Sequence, residues 1–249
     1  MERAGPHETR GRGTVEAKLS GQAITVAVVE DEPLLRDLLR VALQQHAGLE
    51  VVGVFSQAEQ TLRHIPQLRP QVVLLDIDLG KGLSGIQLGL LLREQLPTLG
   101  IVLLSNHWVP HFLTSLPPNV IGGWCYLLKR SVADVDTLAR AIQGAAAGLV
   151  VLDPYVVARR RPRPGGGLAR LTPRQREVLA LITQGFTNVA IAQRLGLASS
   201  TVENQLNQIY QELGLGEEHT DFNPRVRAAL LYLVESQTVV NPETPPRGA

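Results

Sequence analysis

Glu30 and Asp31 in VVEDEP, Asp76 in VVLLDIDL, Ser105 in IVLLSN and Lys129 in YLLK are the residues whose types and spacing could do chemistry together. The first four end or directly follow runs of four to six mostly apolar residues, and Lys129 follows a shorter one. Such runs read as buried parallel strands. In a parallel sheet all strands finish at one edge, so residues about 25 apart in sequence converge on a single crevice. Three carboxylates, a hydroxyl and an ammonium gathered there would hold a divalent cation and a phosphoryl group. Clustered carboxylates repel unless a cation compensates, and hard oxygen ligands suit Mg²⁺, which also accepts a phosphate oxygen. Asp76, ending the central run, could attack a phosphoryl donor and form an acyl phosphate. Lys129 would neutralise one phosphoryl oxygen, and Ser105 would donate a hydrogen bond to another.

The elements that must position these groups follow from periodicity. ITVAVV (24–29), VVGVF (51–55), VVLL (72–75), IVLL (101–104) and WCYLL (124–128) alternate with helical patterns such as PLLRDLLRVALQQH and VADVDTLARAIQGAAAG. Five βα units in this order predict an α/β doubly wound (βα)5 domain over residues 23–157. ARRRPRPGGGLAR then combines Arg, Pro and three glycines, a composition that reads as an extended, flexible linker over 158–169. Only helical periodicity appears afterwards, which predicts a small all-α domain over 170–236. The segments 1–22 and 237–249 read as disordered tails.

Composition narrows the function classes. With 249 residues, one Cys and no run of 18 apolar residues, the chain has no disulfide framework and no membrane-span signal. Its charged, h-region-free start is not a secretory signal, so a reducing cytoplasm is the expected setting. The formal charge of +1 conceals a local bias. Residues 158–170 hold five Arg and no acid, whereas 171–249 hold 6 Arg against 8 Asp and Glu. The six His and Cys125 show no metal-ligand spacing.

On the residues just quoted, the chain from 24 to about 150 resembles the receiver domain of two-component response regulators. The resemblance implies that Asp76 is the phosphoacceptor and that Glu30, Asp31, Asp76 and the backbone carbonyl of Asp78 hold Mg²⁺. It further implies that Ser105 is the switch hydroxyl, Lys129 the phosphate-contacting lysine, and Tyr126 the aromatic that turns inward on phosphorylation. Two departures stand out. Gly80 replaces the Pro usual after the acceptor, in a loop one residue longer. Pro110, Pro117 and Pro118 leave room for only one or two turns of the fourth helix, part of the family's usual signalling face. DIDLG is also similar to the start of haloacid-dehalogenase-like phosphohydrolases. There, however, the remaining acidic pair follows the lysine, whereas Glu30 and Asp31 precede Asp76 by two strands.

In the second half, LTPRQREVLALITQG opens with Thr172 as N-cap, Pro173 at N1 and Gln175 at N3, a capping box. TNVAIAQRLG and STVENQLNQIYQELG follow as second and third helices. The third buries Val202, Leu206, Ile209 and Leu213 and turns amides outward, as a helix-turn-helix would. By periodicity alone, a helical bundle with a solvated amide face remains the lesser alternative. LTPRQREVLALITQGFTNVAIAQRLGLASSTVENQLNQIYQELGL is similar along its length to the LuxR-type module of NarL/FixJ regulators. That resemblance implies DNA contacts from Arg174, Arg194, Ser200, Thr201, Glu203, Asn204, Gln205, Asn207 and Gln208. It also implies homodimerisation through Val226, Ala229, Leu230, Leu233 and Val234. Yet Leu195 to Pro224 contains no Lys or Arg. Phosphate neutralisation supplies most nonspecific DNA affinity, so binding should be weak unless the linker arginines help. With Ser200 as N-cap, Glu203 would fold back onto the helix start.

The combined expectation is a cytoplasmic, dimeric response regulator, not an enzyme. A sensor histidine kinase would phosphorylate it, promoter DNA would be its target, and Mg²⁺ its cofactor. The alternative is an adaptor whose helical domain contacts protein instead of DNA.

Overall fold

The computed structural model describes residues 22–80, 82–108, 116, 118–215 and 223–238. The five apolar runs form β1 (Ile24–Val29), β2 (Leu49–Phe55), β3 (Val72–Asp76), β4 (Gly100–Ser105) and β5 (Trp124–Leu128). A sixth strand, β6 (Val151–Leu152), completes a parallel sheet of order β2-β1-β3-β4-β5-β6. Two residues are too few to show periodicity, which is why β6 escapes a reading of the pattern. It pairs with β5 through Cys125↔Val151 and Tyr126↔Leu152.

Alternate residues of each strand serve opposite faces. Val26, Val28, Leu74, Val102, Leu104 and Leu127 pack with Leu39 and Leu43 of α1 (Pro33–Gln45) and with Leu138 and Ile142 of α5 (Val135–Ala146). Ala27, Val29, Val73, Leu75, Leu103 and Tyr126 pack with Ile65 of α2 (Ala58–Leu68) and with Leu88 and Leu92 of α3 (Gly85–Gln95). Both faces are covered, so the strands read as continuous apolar runs.

α3 begins with a complete capping box, in which Ser84 accepts from the Gln87 amide and the Gln87 side chain accepts from the Ser84 amide. Its first residue must be glycine, because a Cβ on Gly85 would stand 2.0 Å from the Asp76 carbonyl oxygen. Before β5 lies the short α4 (Pro118–Ile121). Arg93 holds this region by donating to the carbonyls of Leu99, Val120 and Gly122 at 2.7, 3.0 and 2.9 Å. Pro110 and Pro117 lie outside the described residues.

The Arg/Pro/Gly segment does not run as a free linker. α6 (Pro154–Ala158) leads into it, and it contains β7 (Arg160–Pro162) and α7 (Gly167–Arg170). β7 pairs antiparallel with β8 (Ser236–Thr238), and β8 extends two residues into the stretch read as a C-terminal tail. Half-buried Arg160 donates to Ser236 Oγ at 2.5 Å and to the carbonyls of Leu233 and Ser236 at 2.5 and 2.9 Å. The Glu235 carboxylate accepts from the Leu168 amide at 2.9 Å. Composition shows only that a segment cannot build an apolar core. Here backbone pairing and charge-assisted hydrogen bonds to a strand 76 residues away order it instead. Apart from Gln22, Gln237 and Thr238, the expected tails lie outside the described residues.

The helical half consists of α8 (Pro173–Thr183), α9 (Asn188–Leu195), α10 (Ser199–Glu212) and α11 (Pro224–Glu235). Thr172, Pro173 and Gln175 form the predicted capping box. The apolar core on the α2/α3 face of the sheet continues through Leu152, Val156 and Leu168 to Val178, Ile182 and Leu233. The two halves are therefore packed together. Gly85→Ala should force the β3–α3 junction apart and destabilise the sheet by about 1–3 kcal/mol, measurable as a lower urea midpoint at unchanged m.

Candidate functional site

The strand ends meet as their register requires. Asp76 ends β3, its partner across the sheet is Leu104, and Ser105 stands one residue farther along β4. Glu30 directly follows β1, and Lys129 directly follows β5. One oxygen from each of Glu30, Asp31 and Asp76 lies within 4.8 Å of the others. Glu30 and Asp76 are almost fully buried, whereas Asp31 is exposed at the rim. Lys129 Nζ donates to Asp76 Oδ2 at 2.8 Å and to Glu30 Oε1 at 3.1 Å.

Burial pushes the Glu30 carboxyl up to about 7, and the nearby Asp76 charge adds to this against the opposing Lys129 hydrogen bond. Burial alone would lower Lys129, but its hydrogen bonds to Asp76 and Glu30 outweigh that and hold the ammonium above its ordinary value. Glu30 Oε2 is buried 3.0 Å from Nζ without a hydrogen bond of good geometry. An under-coordinated buried oxygen beside two further carboxylates, with one ammonium between them, fits a divalent cation.

The loops complete the rim. The Asp78 amide donates to Asp76 Oδ1 at 3.2 Å while the Asp78 side chain faces solvent. Gly80 has φ +72°, and a Cβ there would come within 3.3 Å of Asp31 Oδ2, so the longer loop still passes tight against the acidic pair. Arg36 of α1 donates to the carbonyls of Glu30 and Asp31 at 2.9 and 3.1 Å, fixing the acidic turn. Arg36 was absent from the sequence reading, and its spacing five and six residues on from the pair was the available signal.

Ser105 is buried and accepts from the His107 amide at 3.2 Å. Tyr126 differs from expectation, since it already points inward. It is fully buried and donates to the His107 carbonyl at 2.5 Å. Trp108 meets it edge-on, with ring centroids 4.9 Å apart at 83°. This contact fixes the tyrosine's position, and periodicity could not reveal it.

On α10 Val202, Leu206 and Ile209 are buried, as is Leu213 at its C-cap. Ser200, Thr201, Glu203, Asn204, Asn207 and Gln208 are exposed, with Gln205 partly so. The N-cap is Ala198, which supplies no side-chain cap, rather than Ser200. Glu203 thus sits in the second turn and does not fold back onto the helix start. Arg174 pairs with Glu177 at 2.6 Å and donates to the Leu195 carbonyl at 2.8 Å. Arg194 stacks 4.2 Å from the Phe186 ring centre, and Arg140 of α5 stacks 4.4 Å from the same centre.

The expected dimer stripe is largely consumed within the chain. Val226, Ala229 and Leu233 are buried, because α11 packs on α8 and α7. Leu230 is half-buried, and Val234 is 53% exposed.

Comparison with known proteins agrees with this architecture. Residues 26–143 match the response regulator receiver domain, and residues 169–219 match the bacterial regulatory proteins of the luxR family. The transcriptional regulatory protein MctR of Rhizobium johnstonii is 34% identical over 193 residues, spanning 77% of this chain and 88% of its own. The nitrate/nitrite response regulator protein NarL of Escherichia coli is 32% identical over 200 residues, spanning 77% and 89%. The chain belongs to the NarL-type response regulators. As a response regulator of this domain pairing it is a transcription regulator, not an enzyme. A solved structure of RcsB from Salmonella typhimurium is also similar, with 24% identity, a TM-score of 0.44, and coverage of 86% of this chain and 99% of that one. Among the described residues no helix is long and apolar enough to cross a membrane.

Removing the ammonium would strand two buried carboxylates, which usually costs about 3–5 kcal/mol. Because Glu30 can take up a proton, Lys129→Ala should fall near the lower end, about 3 kcal/mol, in metal-free urea titrations.

Proposed function

We propose that Asp76 of this response regulator accepts a phosphoryl group from a sensor histidine kinase, and that the acyl phosphate controls the grip of a dimeric effector on promoter DNA. The observation that carries this reading is the buried Asp76 carboxylate at the sheet rim, 2.8 Å from Lys129 and grouped with Glu30 and Asp31. An Asp76 oxygen attacks phosphorus, forming a new P–O bond while the donor's P–N bond breaks. Lys129 then balances the added phosphoryl charge. The Ser105 hydroxyl, which accepts from the His107 amide, keeps its own proton available for a phosphoryl oxygen. Glu30, Asp31, Asp76 and the Asp78 carbonyl would hold Mg²⁺, whose chemistry is to neutralise phosphoryl oxygens.

The donor's approach is favoured by α1, where Leu34 and Leu38 are 78% and 62% exposed. Leu35 and Leu38 line a groove that continues to Leu104 and Lys129, so an apolar face on the kinase would seat beside the pocket. In the effector, the exposed amides of α10 suit adenine edges in the major groove. Arg160 is committed to α11 and β8, and no Lys or Arg lies on α10, so phosphate contacts fall to the exposed Arg161 and Arg163 and the salt slope should be shallow. Leu230, Leu231 and Val234 form the accessible apolar strip of α11 and are the better candidates for pairing with a second copy. The setting consistent with this reading is the cytoplasm, with a receiver over 23–157 and an effector over 170–236.

Asp76→Asn should abolish labelling by acetyl phosphate while leaving the circular dichroism unchanged, and retained labelling would move the acceptor elsewhere. Val234→Arg should shift sedimentation equilibrium toward monomer by about tenfold or more in dissociation constant, as a charge in an apolar interface does. An unchanged constant would place the dimer contact off α11.

A further inference from the structure

Asp153 takes no part in the phosphoryl site, yet its surroundings are built around it. It follows β6 and therefore stands on the same rim of the sheet as Glu30, Asp76, Ser105 and Lys129. It has no exposed surface. A carboxylate without water must be satisfied by the protein, and four donors do so. The Leu128 amide donates to Oδ2 at 2.9 Å. The Ser131 hydroxyl donates to Oδ1 at 3.1 Å, and the amides of Tyr155 and Val156 donate to the same oxygen at 2.8 and 3.2 Å.

These donors belong to two different structures. Leu128 and Ser131 bracket the single 3₁₀ turn Lys129–Ser131 that carries the site's ammonium. Tyr155 and Val156 are the first free amides of α6, where the chain leaves the receiver for the effector. One carboxylate thus anchors the lysine turn and caps the linker helix at once. Arg130, next to Lys129, adds a second tie by stacking 4.5 Å from the ring centre of Tyr155 on α6. At its far end α6 reaches the effector, where Tyr232 of α11 donates to the Val157 carbonyl at 3.0 Å. A continuous bonded route therefore runs from Lys129 through Asp153 and α6 to α11, and none of it passes through α4.

We propose that Asp153 is the positioning residue that couples Lys129 to the effector, so that rearrangement of the lysine turn around a phosphoryl group is transmitted through α6. The proposal rests on Asp76 being the phosphoacceptor. When an anion arrives, Lys129 leaves Glu30 to share its protons with the new oxygens, and the turn it sits on shifts. Because the Asp153 carboxylate is fully enclosed, it cannot exchange these donors for water and must carry the shift to the amides of Tyr155 and Val156.

The test is hydrogen exchange of the full chain with and without Mg²⁺ and beryllofluoride, a phosphoryl mimic. In the unmodified protein the anion should alter exchange in residues 72–80 and also in 154–162. Asp153→Asn should keep the first response and lose the second by about tenfold. Ser131→Ala, which removes one donor without stranding a buried charge, should reduce the second by about half. A purely structural role would instead raise exchange equally with and without the anion. The coupling is overturned if the linker response is missing in the unmodified chain or persists undiminished in both variants. Should Asp153→Asn fail to fold, the Ser131→Ala result decides alone. A missing response at 72–80 in the unmodified chain would instead sink the phosphoacceptor reading.

Discussion

Two carboxylates buried side by side at the end of a sheet, held by one ammonium, are the constraint around which the receiver is built. Glu30 and Asp76 have almost no solvent to share their charge, and Lys129 is the cation that reaches both. Burial of a charge is tolerated only with a partner of opposite sign and satisfied hydrogen bonds. The Asp78 amide, the Arg36 clamp on the acidic turn and the glycine junction at Gly85 are all means of meeting that requirement at fixed geometry. The same under-neutralised cluster is what the proposed cation and phosphoryl chemistry would draw on, so the local electrostatic stress and that chemistry share one origin.

The effector half follows a different logic. Its helix α10 is held by an apolar stripe and exposes amides, and of the linker arginines Arg160 is committed within the fold while Arg161 and Arg163 stay exposed. Arg160 is spent on ordering β7 against β8, and Arg194 shares the Phe186 ring with Arg140 of the receiver. Charge that composition assigns to DNA is thus partly used to hold the molecule together. The continuous apolar core from the sheet to α8 and α11 points the same way, since it leaves the two halves mechanically linked and not tethered by a floppy strand.

Legibility differed by residue for identifiable reasons. Glu30, Asp31, Asp76, Ser105 and Lys129 could be read because each ends or follows an apolar run, and parallel strands end on one edge. Thr172 and Gln175 could be read because a capping box is complete within four residues. The N-cap of α10 could not, since Ser199, Ser200 and Thr201 are near-equivalent candidates and packing places the first turn. Val226, Ala229 and Leu233 were visible as an apolar face, but periodicity does not say whether a face meets its own domain or a second copy.

By itself, the sequence determined what is local or periodic: the alternation of strands and helices, the identity of the rim residues, and the all-α effector with its amide face. Tertiary structure alone decided what depends on partners distant in sequence. It turned Tyr126 inward against Trp108, ordered Arg160 on a strand from the far end of the chain, and enclosed Asp153 between the lysine turn and the linker helix. The reason is physical. Hydrogen-bond and packing partners separated by tens of residues leave no periodic trace, and only the folded chain brings them within bonding distance.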